Sequence, residues 1–219
     1  NQSKKIVFLS NAPRPSSKVI NFLIKMNMDR KYLLNVMTSG EAAMHAINKN
    51  QFGKTFFHLG PSRDTSVFEK VKDNKTDIES CDFILCTGLF DEHEKDLEFY
   101  KKLLKKYVSK KLVCTNPDMT VHRGNIEELC AGSIAKVFEE LGGEVAYFGK
   151  PYKEVYRMCF NSNEKVLAVG DNLRTDIKIQ SMFKLFAPLI SVLKLSPTAK
   201  TFSFELKHFL YTSLCGFPN

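Results

Sequence analysis

This sequence lacks a close cysteine pair of the C-x-x-C kind, and its histidines show no ligand spacing. The six cysteines, at 81, 86, 114, 130, 159 and 215, form no C-x-x-C pair. Several lie inside apolar runs such as "FILC" and "LVC". That pattern excludes a disulfide frame and a zinc knuckle, and suits buried free thiols in a reducing cytoplasm. The five histidines are dispersed. A run of membrane-spanning length is also missing. The longest apolar stretch, "MFKLFAPLISVLKL", is broken by Lys184 and Pro188, so no membrane partner is expected and no signal peptide is recognised. Acidic residues are scarce at one end: Ile177 to Asn219 hold only Glu205 of the chain's 24.

What is present bounds the answer further. A chain of 219 residues that is 43% hydrophobic builds one sizeable core, or a core with a smaller lobe. The net charge of +8 is spread along the sequence. Its densest cluster, "KKLLKKYVSKK" at Lys101 to Lys111, alternates with apolar residues at helical spacing. It reads as the solvated face of a helix, and without interleaved aromatic platforms no nucleic-acid partner is expected. The acid-poor segment 177–219 reads as an atypical tail, either a basic extension or the product of a shifted reading frame.

Periodicity gives alternating strands and helices. "KIVFLSN" reads as a buried parallel strand over Ile6 to Leu9, covered on both faces. "SSKVINFLIKMN" follows as a helix with Ser16 as N-cap and Val19, Ile20, Leu23 and Ile24 on one face. Thr38 with Glu41 forms a capping-box pattern before "AAMHAINKN". "KTFFHLG", "DFILCTG", "KLVCTNPD", "EVAYFGKP" and "KVLAVGD" read as strands. "DEHEKDLEFYKKLLKKYV", "IEELCAGSIAKVFEELGG" and "YKEVYRMCF" read as helices. The order predicts an α/β fold with parallel sheets, in which ligands bind outside the carboxyl ends of the strands.

Four strands end in polar signatures: "SNAPR", "TNPD", "GKP" and "GDNLRTD". Ser10 offers a hydroxyl and the Asn11 loop offers backbone N–H groups. Lys150 offers a point charge, and Asp171 and Asp176 offer carboxylates. A hydroxyl with a lysine suits phosphate oxygens. Carboxylates at a strand tip suit Mg²⁺. Simpler readings stand beside these. Gly-Lys-Pro is often only a turn, Asp171 and Asp176 could cap a helix near Thr175, and Asn116 and Asp118 could make an Asx-turn.

Taken in order, the four signatures resemble the motifs of the haloacid dehalogenase superfamily, and most closely its class IIA branch of phosphatases. "FLSNAPRP" is similar to the second motif, with Ser10 the phosphate-binding hydroxyl beside Asn11. "FGKP" is similar to the third, with Lys150 the phosphate-binding lysine. "GDNLRTDI" is similar to the fourth, with Asp171 a magnesium ligand and Asp176 supporting it. "CTNPD" resembles a loop of this branch, which makes Asn116 and Asp118 further candidates. The resemblance covers roughly residues 4 to 178. It implies a Rossmann-like parallel-sheet core over 1–30 and 121–176, an inserted α/β cap over 31–120, and the tail over 177–219. It also implies Mg²⁺ as cofactor and a small phosphorylated metabolite as substrate. The cap sets the substrate in this branch, so the substrate's identity is not legible, and neither is the oligomeric state.

One motif has no counterpart. The family's first motif, D-x-D, carries the nucleophilic aspartate some thirty residues before the second. Here nine residues precede Ser10, none of them aspartate, and no D-x-D occurs anywhere in the chain. After "TDI" the sequence also leaves the family pattern. The expectation is a truncated or inactive form, a fragment of a decayed or split gene, or a non-catalytic module that binds a phosphate ligand.

Overall fold

A computed structural model describes residues 5–161 together with residues 166, 170, 175 and 176. The chain divides into two compact units, Asn1–Asn161 and Ser162–Asn219. The tail expected over 177–219 and most of the "KVLAVGD" strand lie outside the described residues.

In the first unit the strands are β1 (Phe8–Ser10), β2 (Val36–Thr38), β3 (Phe56–Leu59), β4 (Phe83–Cys86), β5 (Lys111–Cys114), β6 (Thr120–Arg123), β7 (Ile126–Leu129) and β8 (Glu144–Tyr147). The helices are α1 (Ser16–Lys25), α2 (Ser39–Asn48), α3 (Leu97–Leu104), α4 (Ala131–Glu140) and α5 (Lys153–Arg157). The main sheet is parallel, in the order β3-β4-β5-β8. β1 and β2 form a separate parallel pair, and β6 and β7 an antiparallel hairpin. Parallel sheets flanked by helices are the architecture that the alternating pattern predicts.

The central strands carry continuous apolar runs, as a sheet covered on both faces requires. Phe83, Ile84, Leu85 and Cys86 are all fully buried, so β4 is covered on both faces. Tyr100 and Leu104 of α3 and Ile134, Ala135 and Phe138 of α4 close one side. Each large side chain among these, fully buried, stabilises by about 2 kcal/mol. Tyr100 buries its ring and keeps its hydroxyl satisfied, accepting from the Phe90 N–H at 2.7 Å. The lysines of "KKLLKKYVSKK" at 101, 102, 105 and 106 are exposed, on the solvated helix face the spacing predicts. Cys81, Cys86, Cys114, Cys130 and Cys159 are buried free thiols. Burial pushes the Cys114 thiol up to about 12. No described helix is long and apolar enough to cross a membrane.

Several elements differ from the sequence expectation. β1 starts at Phe8 rather than Ile6, which is 50% exposed, and the strand is only half-buried. Among the described residues its ladder partner is β2. Ser16 is not the cap of α1; Pro15 holds that position and Ser16 opens the helix. The Ser16 N–H and hydroxyl donate to Glu41 Oε1 at 3.0 and 2.7 Å. Thr38 does cap α2, accepting from the Glu41 N–H at 3.2 Å. Glu41 thus makes half of a capping box and spends its own side chain on the neighbouring helix.

The long helix expected over 91–108 breaks into short 3₁₀ turns around α3, which begins where Asp96 accepts from the Phe99 N–H at 3.0 Å. The helix expected from 126 starts at Ala131, because Ile126–Leu129 pairs with Thr120–Arg123 in the hairpin. β8 hydrogen-bonds to β5, so one sheet draws on residues from both sides of the boundary expected at 120.

Candidate active site

The carboxyl ends of β1, β5 and β8 are tied together by one side chain, Asn11. It is 7% exposed. Its amide nitrogen donates to Asp118 Oδ1 at 2.9 Å and to the Lys150 carbonyl at 3.1 Å. Its amide oxygen accepts from the Lys150 N–H at 2.6 Å. An asparagine suits this task because one planar group offers donors and an acceptor together. Three of the four polar strand tips therefore meet at one residue.

Each tip is shaped locally as well. Ser10 Oγ accepts from the Ala12 N–H at 3.2 Å, which turns the chain just past β1. Asn116 Oδ1 accepts from the Asp118 N–H at 3.1 Å, so the Asx-turn reading of this pair holds in the geometry. Gly149 precedes Lys150 with φ +121°, and a Cβ there would lie 2.7 Å from Pro117 Cδ and 2.8 Å from Asn11 Oδ1. Only glycine lets the β8 tip come this close to the β5 tip in this backbone conformation. The α2 N-terminus braces the same loop, with the Gly40 N–H donating to the Ala12 carbonyl at 3.2 Å. The Ser39 hydroxyl reaches the carbonyls of both Ala12 and Thr115.

Of the residues that sequence singles out, the structure brings Asn11, Asp118 and Lys150 into direct contact through the bonds above. Ser10 and Asn116 sit in the two turns beside them. Asp176 belongs to the second unit, where its side chain lies against Gly170 and occupies the space a Cβ would fill. Asp171 lies outside the described residues. No group of three or more His, Cys, Asp or Glu among the described residues is placed to hold a metal.

A second polar group at the tips of β3 and β4 escaped the sequence reading. His58 is 6% exposed and bonds Thr87 Oγ1 through Nε2 at 2.9 Å. Burial, with a smaller push from Lys75, lowers the His58 imidazole to about 4, so it is neutral at physiological pH. Asp64 is 4% exposed, and burial raises its carboxyl against the pull of Arg14 and Arg63. The signal available in sequence was "HLGPSRD", polar residues directly after a strand that otherwise reads as core.

A scan against protein-family models and a search of curated proteins gave no match. Solved structures do match. A haloacid dehalogenase-like family hydrolase from Brucella suis is 27% identical, with 81% of this chain and 70% of that chain covered and a TM-score of 0.72. A 4-nitrophenylphosphatase from Thermotoga maritima is 26% identical, with 83% and 71% covered and a TM-score of 0.61. By fold, the chain is haloacid dehalogenase-like. A p-nitrophenyl phosphatase from Archaeoglobus fulgidus, 19% identical over 83% of this chain and 71% of its own, has the same fold at a TM-score of 0.61. The structural relatives of this haloacid dehalogenase-like chain thus include hydrolases of the phosphatase type.

Proposed function

We propose that this chain carries the phosphate-binding part of a class IIA-type, Mg²⁺-dependent phosphatase site, acting on small phosphorylated metabolites in the cytoplasm. The observation that carries the reading is the Asn11 clamp, which gathers the Ser10, Asp118 and Lys150 loops at one point. In this reading the Ser10 hydroxyl and the Lys150 ammonium hold phosphate oxygens, and Asn11 fixes the two loops relative to each other. Asn116 and Asp118 keep the β5 tip in its turn.

Asp171 and Asp176 would hold the cation. Their chemistry fits: Mg²⁺ takes hard oxygen donors, commonly one or two carboxylates with water and substrate phosphate completing the shell. When bound, it would supply neutralisation of the phosphate charge. Lys150 and Ser10 would position the phosphate group and offset its charge. The haloacid dehalogenase route also needs a nucleophilic aspartate, and the 219 residues contain no D-x-D.

Titration calorimetry with inorganic phosphate tests the reading. Wild type should bind phosphate, and Lys150→Ala should weaken it by about tenfold or more, as loss of a charge-assisted contact implies. Absence of phosphate binding by a folded chain would overturn the reading.

A further inference from the structure

The loop that carries Lys150 is held twice over, and the Asn11 clamp is only one of the two devices. The loop joins β8 to α5, with Gly149, Lys150 and Pro151 at its bend. Its entry is anchored in the sheet: Tyr147 stands opposite Cys114 of β5, and the Phe148 N–H donates to the Cys114 carbonyl at 2.9 Å. Its exit is anchored by α5, where Val155 and Tyr156 are buried. Asn11 takes both the N–H and the carbonyl of Lys150. Independently of Asn11, two tyrosines close the loop on itself. The rings of Tyr147 and Tyr152 stack with centroids 4.6 Å apart and planes within 8° of parallel. The Tyr152 N–H also donates to the Gly149 carbonyl at 2.8 Å.

Core filling alone does not account for this pair. Both tyrosines are half-buried, whereas Phe56, Phe83 and Phe138 of the core have no exposed surface. The core rings also meet differently: Phe56 lies edge-on to Phe68 and tilted to Phe83. A parallel stack across the four residues 148–151 sets how far that loop can open. The Tyr147 hydroxyl faces the Glu139 carboxylate of α4, so that ring is held from the α4 side as well. The bend between the rings carries a lysine. A lysine ammonium rides on a flexible four-carbon stem, so its reach depends on where its Cα is held. A loop free to open would add its own disorder to that of the stem, and an anion would have to freeze both on binding.

We propose that Tyr147 and Tyr152 are positioning residues whose ring stack holds the loop so that Lys150 is presented to phosphate oxygens. The inference rests on the phosphatase reading for the role of Lys150, and on the ring geometry for the stack itself. The two tyrosines act through Lys150 and need no contact with the phosphate.

Calorimetry with inorganic phosphate on the 219-residue chain, with Tyr152→Leu and Tyr152→Phe each made alone and together with Lys150→Ala, tests it. Tyr152→Leu should weaken phosphate binding about threefold to tenfold, the range a ring pair of this kind contributes. Tyr152→Phe keeps the ring and should bind like wild type. Beside Lys150→Ala, Tyr152→Leu should change the affinity by less than about twofold, because no ammonium is left to misplace. A fold that was merely destabilised would lose affinity in both backgrounds. Tyr147→Leu removes the stack from its other ring and should reproduce the loss, so the test does not depend on one variant. Equal losses with and without Lys150, unchanged binding in Tyr152→Leu, or a loss in Tyr152→Phe as large as in Tyr152→Leu overturns the proposal. If wild type binds no phosphate, the phosphatase reading fails separately, and hydrogen exchange at the Lys150 amide decides the stack. Exchange about threefold to tenfold faster in Tyr152→Leu but not in Tyr152→Phe supports it, and unchanged exchange overturns it.

Discussion

Asn11→Ala is the perturbation that most directly tests how the strand tips are held. The substitution removes three hydrogen bonds at once: 2.9 Å to Asp118, 3.1 Å to the Lys150 carbonyl and 2.6 Å from the Lys150 N–H. Two involve neutral backbone groups, worth about 1 kcal/mol each, and the one to a carboxylate is worth about 1.5 kcal/mol or more. Water can reach the half-buried Lys150 and Asp118 once the amide is gone, which limits the desolvation penalty. The expected loss is about 3 kcal/mol. In a unit of this size that corresponds to a fall in melting temperature of roughly 10 °C. Urea titration followed by circular dichroism measures it, with an unchanged slope as evidence that the denatured state is unaffected.

Asn11→Asp sharpens the test. Aspartate keeps the acceptor for the Lys150 N–H but puts a carboxylate against Asp118, so like charges replace a donor–acceptor pair. The aspartate variant should therefore be at least as damaged as alanine at neutral pH and should recover partly when acidified. Were Asn11→Ala to cost under about 1 kcal/mol, or Asn11→Asp to be milder than alanine at pH 7, the clamp would not be holding the loops together.

Two further outcomes follow from the same geometry. His58 is neutral in the fold down to about pH 4, whereas an unfolded histidine titrates at 6.5. The unfolded state therefore binds the extra proton between those values, and stability falls as pH drops through that window, by up to about 3 kcal/mol. His58→Gln should remove this slope, and the difference between the two unfolding profiles isolates it from Asp64, whose raised carboxyl acts with the opposite sign. Gly149→Ala should cost at least about 2 kcal/mol, because a positive φ is strained for alanine and its Cβ meets Pro117 and Asn11. Gly142→Ala is the control: φ is +90° there but nothing lies within 4 Å, so only the backbone cost of about 1 kcal/mol remains.

Much of this was legible in sequence, for identifiable reasons. Continuous apolar runs such as "FILC" mark strands covered on both faces, and β4 is fully buried. Thr38 caps α2 as the pattern predicts, because side-chain capping is a local bond between near neighbours. Elements that depend on distant partners were not legible. "IEEL" has helical composition yet forms β7, since its partner Thr120–Arg123 offers a hairpin ladder that outweighs propensity. Glu41 was read as closing a box on its own helix, and instead reaches across to Ser16. The strand-tip candidates Ser10, Asn11 and Lys150 were legible as polar breaks after apolar strands. The burial of Asp64 was not, because burial is a property of the packed state.

The same contrast predicts the order in which the first unit comes apart. The β3-β4-β5-β8 sheet rests on large side chains with no exposed surface, among them Phe56, Phe83, Tyr100 and Phe138. β1 is half-buried and α1 contains no buried residue. Phe22 of that helix and Met26 just after it are 59% and 63% exposed. Apolar burial therefore stabilises the β1-β2-α1 segment weakly, and side-chain bonds from Asn11, Ser39 and Glu41 contribute much of its attachment. Those bonds converge at the candidate phosphate-binding loops. Native-state hydrogen exchange should show the amides of Leu9 and Ser10 opening at lower free energy than those of Ile84 and Leu85. Asn11→Ala should lower the protection of β1 and leave β4 unchanged until the global transition. Equal protection of the two strands would refute the argument. Were the order confirmed, a ligand gripping Ser10 and Lys150 would stabilise the least stable part of the fold, and ligand binding would read out as slowed exchange in β1 before any change in the core.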